Sequence, residues 1–168
     1  MAASKPSPGP DAVFCETEIA ARPERVFEAL TDPKQLVVWW RQEPSVETAK
    51  FEIDARTGGH WCFRWRPAPG ADHGAVGELL RRNGAEEFEA RGEILEYVPP
   101  RLLVWSWIAN WHEHPTQPTV VRWELAPIPA GTRVRVTHSV LKNEPTVRKD
   151  YGSGWIGVLR LLKIFAEN

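Results

Sequence analysis

Apolar and polar residues alternate with a period of two through much of residues 46–139, and this alternation predicts a series of β-strands. In residues 61–65, for example, Trp61, Phe63 and Trp65 share one face and Arg64 lies on the other. Hairpin connections between such strands give an antiparallel sheet with one face free to pack. The predicted strands are residues 13–20, 51–53, 61–65, 76–80, 86–97, 102–108, 120–125 and 132–140.

Helical periodicity occurs in two other parts of the chain. Pro23 and the pair Asp32-Pro33 predict the starts of two short helices, because proline is tolerated in the first helical turn and aspartate caps it. From Pro145 onward, one long amphipathic helix is predicted. Its apolar stripe consists of Val147, Tyr151, Trp155, Val158, Leu159, Leu162 and Phe165.

Three glycines, Gly152, Gly154 and Gly157, lie inside this last predicted helix. Each costs about 1 kcal/mol relative to alanine in a helix interior. We therefore expect the helix backbone there to lie close to another group or to leave room for one.

The order of elements predicts an α+β domain in which the long C-terminal helix covers an antiparallel sheet. A chain of 168 residues suits one domain, which we assign to residues 13–168. Residues 1–12 are rich in Pro, Ala, Ser and Gly, and are predicted to be a disordered tail.

Charge and cysteine content exclude several classes of function. The chain has 21 basic and 22 acidic residues with no basic stripe, which argues against nucleic-acid binding. It lacks the run of about 20 apolar residues that a membrane helix needs and the apolar segment of a signal peptide. With two cysteines and no CxxC spacing, a reducing, cytoplasmic compartment is the simplest expectation.

Several short strings occur in an order that resembles the SRPBCC (START-like, Bet v 1-like) superfamily. They are residues 21–33 (ARPERVFEALTDP), 39–40 (WW), 57–61 (TGGHW), 92–103 (GEILEYVPPRLL), 106–107 (SW), 131–138 (GTRVRVTH) and 154–155 (GW). Within the superfamily, the chain is most similar to the branch of activators of the 90-kDa heat-shock protein ATPase, whose members are mostly bacterial proteins. The resemblance implies a helix-grip fold, β-α-α-β6-α, in which a curved antiparallel sheet is wrapped around the long C-terminal helix. It also implies a deep cavity between the two.

Nine tryptophans in one domain indicate either a very aromatic core or an aromatic-lined cavity. Strand phase and the resemblance together give a candidate set of ligand-pocket residues. The set is Trp40, Trp61, Phe63, Trp65, Trp105, Trp107, Trp123, His138, Tyr151, Trp155, Val158 and Leu162. Any single member is more often a core residue than a ligand contact, and a fully packed core remains the alternative.

The histidines offer the remaining candidate chemistry. His138 lies in an otherwise apolar strand, and a structural histidine bonded to backbone or to an indole is favoured over a general base. His112-Glu113-His114 lacks the spacing of known zinc motifs, so a solvated loop near the pocket mouth is predicted. We assign no catalytic residue, metal or cofactor.

Three functions are compatible with these observations. Non-enzymatic binding of a hydrophobic small molecule (lipid-like, aromatic or polyketide-like) is the first. A co-chaperone-like module that binds a chaperone, with a role in stress response, is the second. The third is a cyclase- or hydrolase-type enzyme that uses His138 or Tyr151 in the same pocket. The oligomeric state, monomer or homodimer, is not determined by these observations.

Overall fold

The computed structural model describes residues 11–40 and 46–168. Within these residues, seven strands and four helices follow one another. They are β1 (Val13–Ile19), α1 (Pro23–Thr31), α2 (Pro33–Trp39), β2 (Val46–Ile53), β3 (His60–Pro67), α3 (Gly74–Arg82), β4 (Phe88–Val98), β5 (Leu102–Ala109), β6 (Thr119–Ile128), β7 (Gly131–Ser139) and α4 (Pro145–Ala166).

All the strands belong to one antiparallel sheet with the order β1-β7-β6-β5-β4-β3-β2. The strand pairing brings Trp105 opposite Val121 and Trp123 opposite Val136, so the apolar phases of β5, β6 and β7 share one face. The sheet is curled into a half-barrel, and α4 lies along it. The predicted α+β helix-grip fold is therefore confirmed.

The predicted helix starts are confirmed by the local geometry. Pro23 and Pro145 occupy the first turns of α1 and α4. The Asp32 side chain accepts a 2.9 Å hydrogen bond from the Lys34 backbone N–H, which caps α2 ahead of Pro33. These caps satisfy or remove backbone donors that a helix start would otherwise leave unpaired.

The prediction of a strand at residues 76–80 was wrong, since this segment lies in α3. Val76, Leu79 and Leu80 are buried together at the spacing of one helical face, and this packing overrides the short apolar alternation. The Asn83-Gly84 pair ends that helix, with Gly84 at φ 80°, rather than turning a hairpin. Six strands therefore follow α2, as the resemblance implied, and not the seven that the alternation predicted, while a third helix stands between β3 and β4.

The carboxyl-terminal end of α4 is tied to the sheet edge at β1. Lys163 donates a 2.7 Å hydrogen bond from Nζ to the Glu18 carbonyl oxygen. The Ala20 backbone N–H donates to Glu167 Oε1 at 2.9 Å. Leu159 and Leu162 are buried beside these contacts, so this part of the helix packs as ordinary core.

The start of the described chain is held to the connection between β7 and α4. Asp11 accepts hydrogen bonds from the backbone N–H groups of Val140 and Lys142 through its carboxylate, and from Leu141 through its carbonyl oxygen. The predicted tail otherwise lies outside the described residues, at residues 1–10. In residues 11–40 and 46–168, no helix combines the length and apolar character needed to cross a membrane.

Candidate functional site

A cavity of about 430 Å³ lies between the sheet and residues 150–158 of α4. Its walls come from the end of α2, from β3, β4 and β5, from α3 and from α4. The predicted pocket residues that line it are Trp40, Phe63, Trp65, Trp107, Tyr151, Trp155 and Val158.

The remaining predicted pocket residues lie outside this lining. They are Trp61, Trp105, Trp123, His138 and Leu162. Trp61 stacks on Trp105 with ring centroids 4.7 Å apart, and the Trp123 ring meets the edge of Trp105. Strand phase places these residues on the correct face of the sheet, but other side chains fill the space above them. Strand phase determines on which face of the sheet a side chain lies, whereas the packing of other side chains determines which part of that face borders the cavity.

Aromatic rings form most of the cavity wall, and they support one another. Trp65 stacks on Phe88 with centroids 5.0 Å apart, and the Trp111 ring meets Trp65 edge-on at the same distance. Trp40 packs 5.3 Å from Phe63 and 6.1 Å from Trp155, and Phe63 packs in turn 4.9 Å from Trp65. Such contacts fix ring positions without filling the space between them.

Gly154 lies on α4 at the edge of the cavity, and Gly152 lies on the same helix outside the lining. Both glycines are exposed, and a side-chain carbon added at either would meet no atom beyond the neighbouring helix backbone within 4 Å. Larger side chains can therefore be placed at both positions.

His138 is fully buried and bonded at both ring nitrogens. The Trp155 indole N–H donates to Nδ1 at 3.2 Å, which makes Nδ1 the acceptor and places the imidazole proton on Nε2. Nε2 then donates to the Thr119 hydroxyl at 2.7 Å, and this hydroxyl donates to the Trp107 carbonyl oxygen. Burial holds the pKa of His138 well below its usual value. The geometry is that of a structural histidine bonded to an indole, and it leaves no ring nitrogen free for a substrate.

His112 corrects the prediction of a solvated loop at residues 112–114. Its side chain is fully buried, and Nε2 lies 2.7 Å from the Tyr151 hydroxyl oxygen. The loop is held inward because the Asn83 side-chain amide donates to the carbonyl oxygens of Asn110 and His112. Glu113 is half-buried and its carboxylate accepts a hydrogen bond from the Thr146 backbone N–H.

The Tyr151 hydroxyl joins this histidine to the cavity wall. It accepts a 3.0 Å hydrogen bond from the Trp107 indole N–H and lies 2.7 Å from His112 Nε2. The buried Glu144 carboxylate lies 3.3 Å from His112 Nδ1, off the line of a hydrogen bond, and accepts from the His114 backbone N–H. Its negative charge favours the imidazole proton on Nδ1, which leaves Nε2 to accept from the Tyr151 hydroxyl. The result is a buried chain of polar groups behind the aromatic residues of the lining.

Burial controls the ionisation of this chain. It lowers the pKa of His112 to about 4 and raises the pKa of Glu144 above its usual value. It also raises the pKa of Tyr151 well above its usual value. Near neutral pH, the imidazole and the phenol are therefore both uncharged.

The mouth of the cavity carries charged groups that sequence analysis did not identify. Asp72 and His73 lie just before α3, and Asp150 lies on α4. Burial raises the pKa of Asp150, and the nearby His73 partly counters that effect. Trp111 could have indicated this end of the cavity from the sequence. It is a tryptophan in a predicted loop, where neither a strand nor a helix pattern calls for a large apolar residue.

Comparison with known proteins identifies the family of this chain. Residues 20–167 match the family described as "Activator of Hsp90 ATPase homolog 1-like protein". No curated protein matches the chain significantly.

Solved structures show the same fold at low sequence identity. Protein CV1439 from Chromobacterium violaceum has a TM-score of 0.73 and 20% identity, covering 94% of this chain and 99% of that one. An AHSA1-like protein from Aeromonas hydrophila has a TM-score of 0.67 and 20% identity, covering 93% and 92%. Since the family match spans nearly the whole described domain, this chain belongs to the Activator of Hsp90 ATPase homolog 1-like family.

Proposed function

We propose that this protein binds an apolar small molecule in the cavity between its sheet and α4, without catalysing a reaction. The observation that carries the proposal is an aromatic-walled space of about 430 Å³ that side chains leave open. This volume lies in the range of small-molecule sites, which are concave and mostly apolar with a few polar groups.

The chemistry of the walls supports a hydrophobic ligand. Trp65, Phe88 and Trp111 form one aromatic corner, and Trp40 with Phe63 forms another. Removing an apolar molecule from water into contact with such surfaces supplies most of the binding free energy. Because the rings are already held by mutual contacts, little ordering is required when the ligand enters.

The arrangement of buried polar groups favours binding over catalysis. His138 is bonded at both nitrogens and lies outside the cavity lining. The Tyr151 proton is directed to His112, and both groups are neutral near pH 7 because burial shifts each pKa away from neutrality. A general base needs a free acceptor within reach of the substrate, which neither His112 nor His138 offers to the cavity. His73 is the histidine of the described lining, and a His73→Gln variant that binds the ligand as the wild type does, with no conversion of the ligand by either protein, is expected.

The proposal is tested by screening the protein against a library of apolar compounds with ligand-detected NMR and tryptophan fluorescence. Compounds that bind are expected to quench tryptophan emission, because Trp65, Trp107 and Trp155 line the cavity. If no compound binds to the well-folded protein, the proposal is wrong.

A matched pair of variants locates the binding site. Gly154→Leu places a side chain into the cavity, whereas Gly152→Leu adds the same side chain on the same helix away from the lining. We expect Gly154→Leu to weaken binding at least about tenfold, since the added side chain competes with the ligand for space. Gly152→Leu is expected to bind as the wild type does, and equal affinity in both variants would place the ligand elsewhere.

Contact with a chaperone is a second candidate function, supported by the family description alone. A pull-down with the Hsp90 of the host, followed by measurement of its ATP turnover, separates the two functions. A complex with stimulated turnover would support the co-chaperone function, and the absence of both would remove it.

A further inference from the structure

The charged groups at the cavity define which apolar molecules fit it. This inference rests on the proposed function and concerns the chemical class of the ligand. Charged residues of the lining are Asp72 and Asp150, with His73 beside them, and no Lys or Arg lines the cavity within residues 11–40 and 46–168. An anionic ligand would therefore meet two carboxylates and no permanent cation.

The two carboxylates differ in how well they are satisfied. Asp72 Oδ1 accepts a 2.8 Å hydrogen bond from the Gly74 backbone N–H at the start of α3. The Asp150 carboxylate is solvent-exposed and takes part in no side-chain hydrogen bond or ion pair within the described part of the chain. A cation placed beside Asp150 would therefore displace water and would not have to compete with a protein partner.

Three donors of the inner wall are already used within the protein. The Trp107 indole N–H donates to Tyr151, the Trp155 indole N–H donates to His138, and the Tyr151 hydroxyl proton is directed to His112. A ligand that presents acceptors, such as a carboxylate, would have to break these bonds in order to reach those three donors. A ligand that presents donors meets the carboxylates at the mouth without breaking any of them.

Aromatic faces complete the site. The His73 ring packs 5.0 Å from Phe88, and Phe88 contacts Trp65 and Trp111, so an aromatic cluster lies beside the acidic mouth. Aromatic faces attract cations through the ring quadrupole, most strongly at tryptophan. We propose that the ligand is an amine: an apolar body lying between the tryptophans, with a positively charged nitrogen near Asp150 and Asp72.

The test uses three compounds with the same ring and nearly the same length. They are 2-(1-naphthyl)ethylamine, 2-(1-naphthyl)ethanol and 1-naphthylacetate, measured by isothermal titration calorimetry at about pH 8, where free imidazole is largely neutral. The amine is expected to bind about tenfold more tightly than the alcohol, since an ion pair and cation–π contacts add to the same apolar burial. The acetate is expected to bind most weakly.

Variants assign the preference to the acidic mouth. Asp150→Asn should reduce the preference for the amine over the alcohol, with Asp72 and the aromatic faces retaining part of it, while leaving alcohol affinity unchanged. Glu78→Gln removes one negative charge from an exposed position of α3 outside the lining, and should keep the wild-type preference. If the alcohol or the acetate binds as tightly as the amine, or the preference is undiminished in Asp150→Asn, the amine assignment is wrong. Binding of the alcohol alone would still support an apolar site. If none of the three compounds and no compound of the library binds, both proposals are wrong.

Discussion

At the scale of single residues, the two buried histidines show what a sequence reveals and what it omits. His138 stands in a strand of apolar residues, so its structural role could be predicted from its neighbours. The burial of His112 depends on Tyr151 and Glu144, which lie more than thirty positions away and approach only in the folded chain. Local sequence therefore described His112 as an exposed loop residue.

The hydroxyl of Tyr151 is expected to stabilise the fold. Tyr151→Phe leaves the Trp107 indole N–H and His112 Nε2 buried without their partner, which costs about 1–3 kcal/mol of unfolding free energy. Tyr97→Phe is the matched control, since Tyr97 is half-buried against Phe27 and its hydroxyl forms no hydrogen bond within the described residues. Urea unfolding measures both, and equal stabilities would contradict the hydrogen-bond chain.

Acid is expected to destabilise the protein through His112. Its pKa is lowered from 6.5 to about 4 in the folded state, so the unfolded chain takes up the proton first as the pH falls. The stability from neutral His112 is complete above about pH 6.5 and is lost as the pH falls towards 4. The lowered pKa of His138 acts in the same direction, whereas the raised pKa values of Glu144 and Asp150 act in the opposite direction.

Comparison of variants isolates the contribution of His112 from those opposing groups. Between pH 7 and pH 4, His112→Gln should lose less unfolding free energy than the wild type, by up to about 3 kcal/mol. His114→Gln, at the exposed neighbouring histidine, should follow the wild-type curve. Parallel curves for all three proteins would show that His112 is not held neutral by burial.

At the scale of elements, strand phase and helix starts could be predicted because both depend on nearby residues. The error at α3 has a physical cause: Val76, Leu79 and Leu80 fit one helical face, but five residues are too few to separate that spacing from a short strand. Packing of this face against the rest of the core decides the outcome.

Substitution of one glycine in α4 and of one in β4 is expected to change the unfolding free energy in opposite directions. Gly154→Ala should raise the unfolding free energy by about 0.5–1 kcal/mol, because the added carbon meets open space and alanine favours helix. Gly92→Ala should lower it by about 1–3 kcal/mol, because the added carbon would overlap the Ser106 carbonyl group of the adjacent strand β5. Thermal or urea unfolding measures both changes, and a shift of the same sign in the two variants would contradict this geometry.

At the scale of the whole molecule, the order of elements predicted an α+β domain with its last helix over an antiparallel sheet, and the resemblance supplied the helix-grip fold. The extent of the cavity was not predictable. Trp61, Trp105 and Trp123 share a face with cavity residues, yet neighbouring rings cover them, among them Trp40 and Trp155 at Trp123. Which part of a face remains open depends on the path of α3 and of the loop that carries Trp111. No periodic pattern encodes either path.

Occupancy of the cavity should stabilise the entire fold. A ligand that binds only the folded state adds about 2.7 kcal/mol at a concentration one hundred times its Kd, so the melting temperature should rise with concentration. Differential scanning fluorimetry of wild type and Gly154→Leu, with Gly152→Leu as the control, measures this shift. A ligand-induced rise that persists in Gly154→Leu would contradict binding in the cavity.

The attachment of α4 along its whole length has a consequence for how the interior is reached. Lys163 and Glu167 hold its carboxyl-terminal turns to β1, while Tyr151 and Trp155 are hydrogen-bonded to Trp107, His112 and His138. Displacing the middle turns of the helix would leave these buried groups unpaired, at a cost of about 1–3 kcal/mol for each. The size of an entering molecule is therefore expected to be limited by the width of the opening between α3 and α4, and not by movement of the helix.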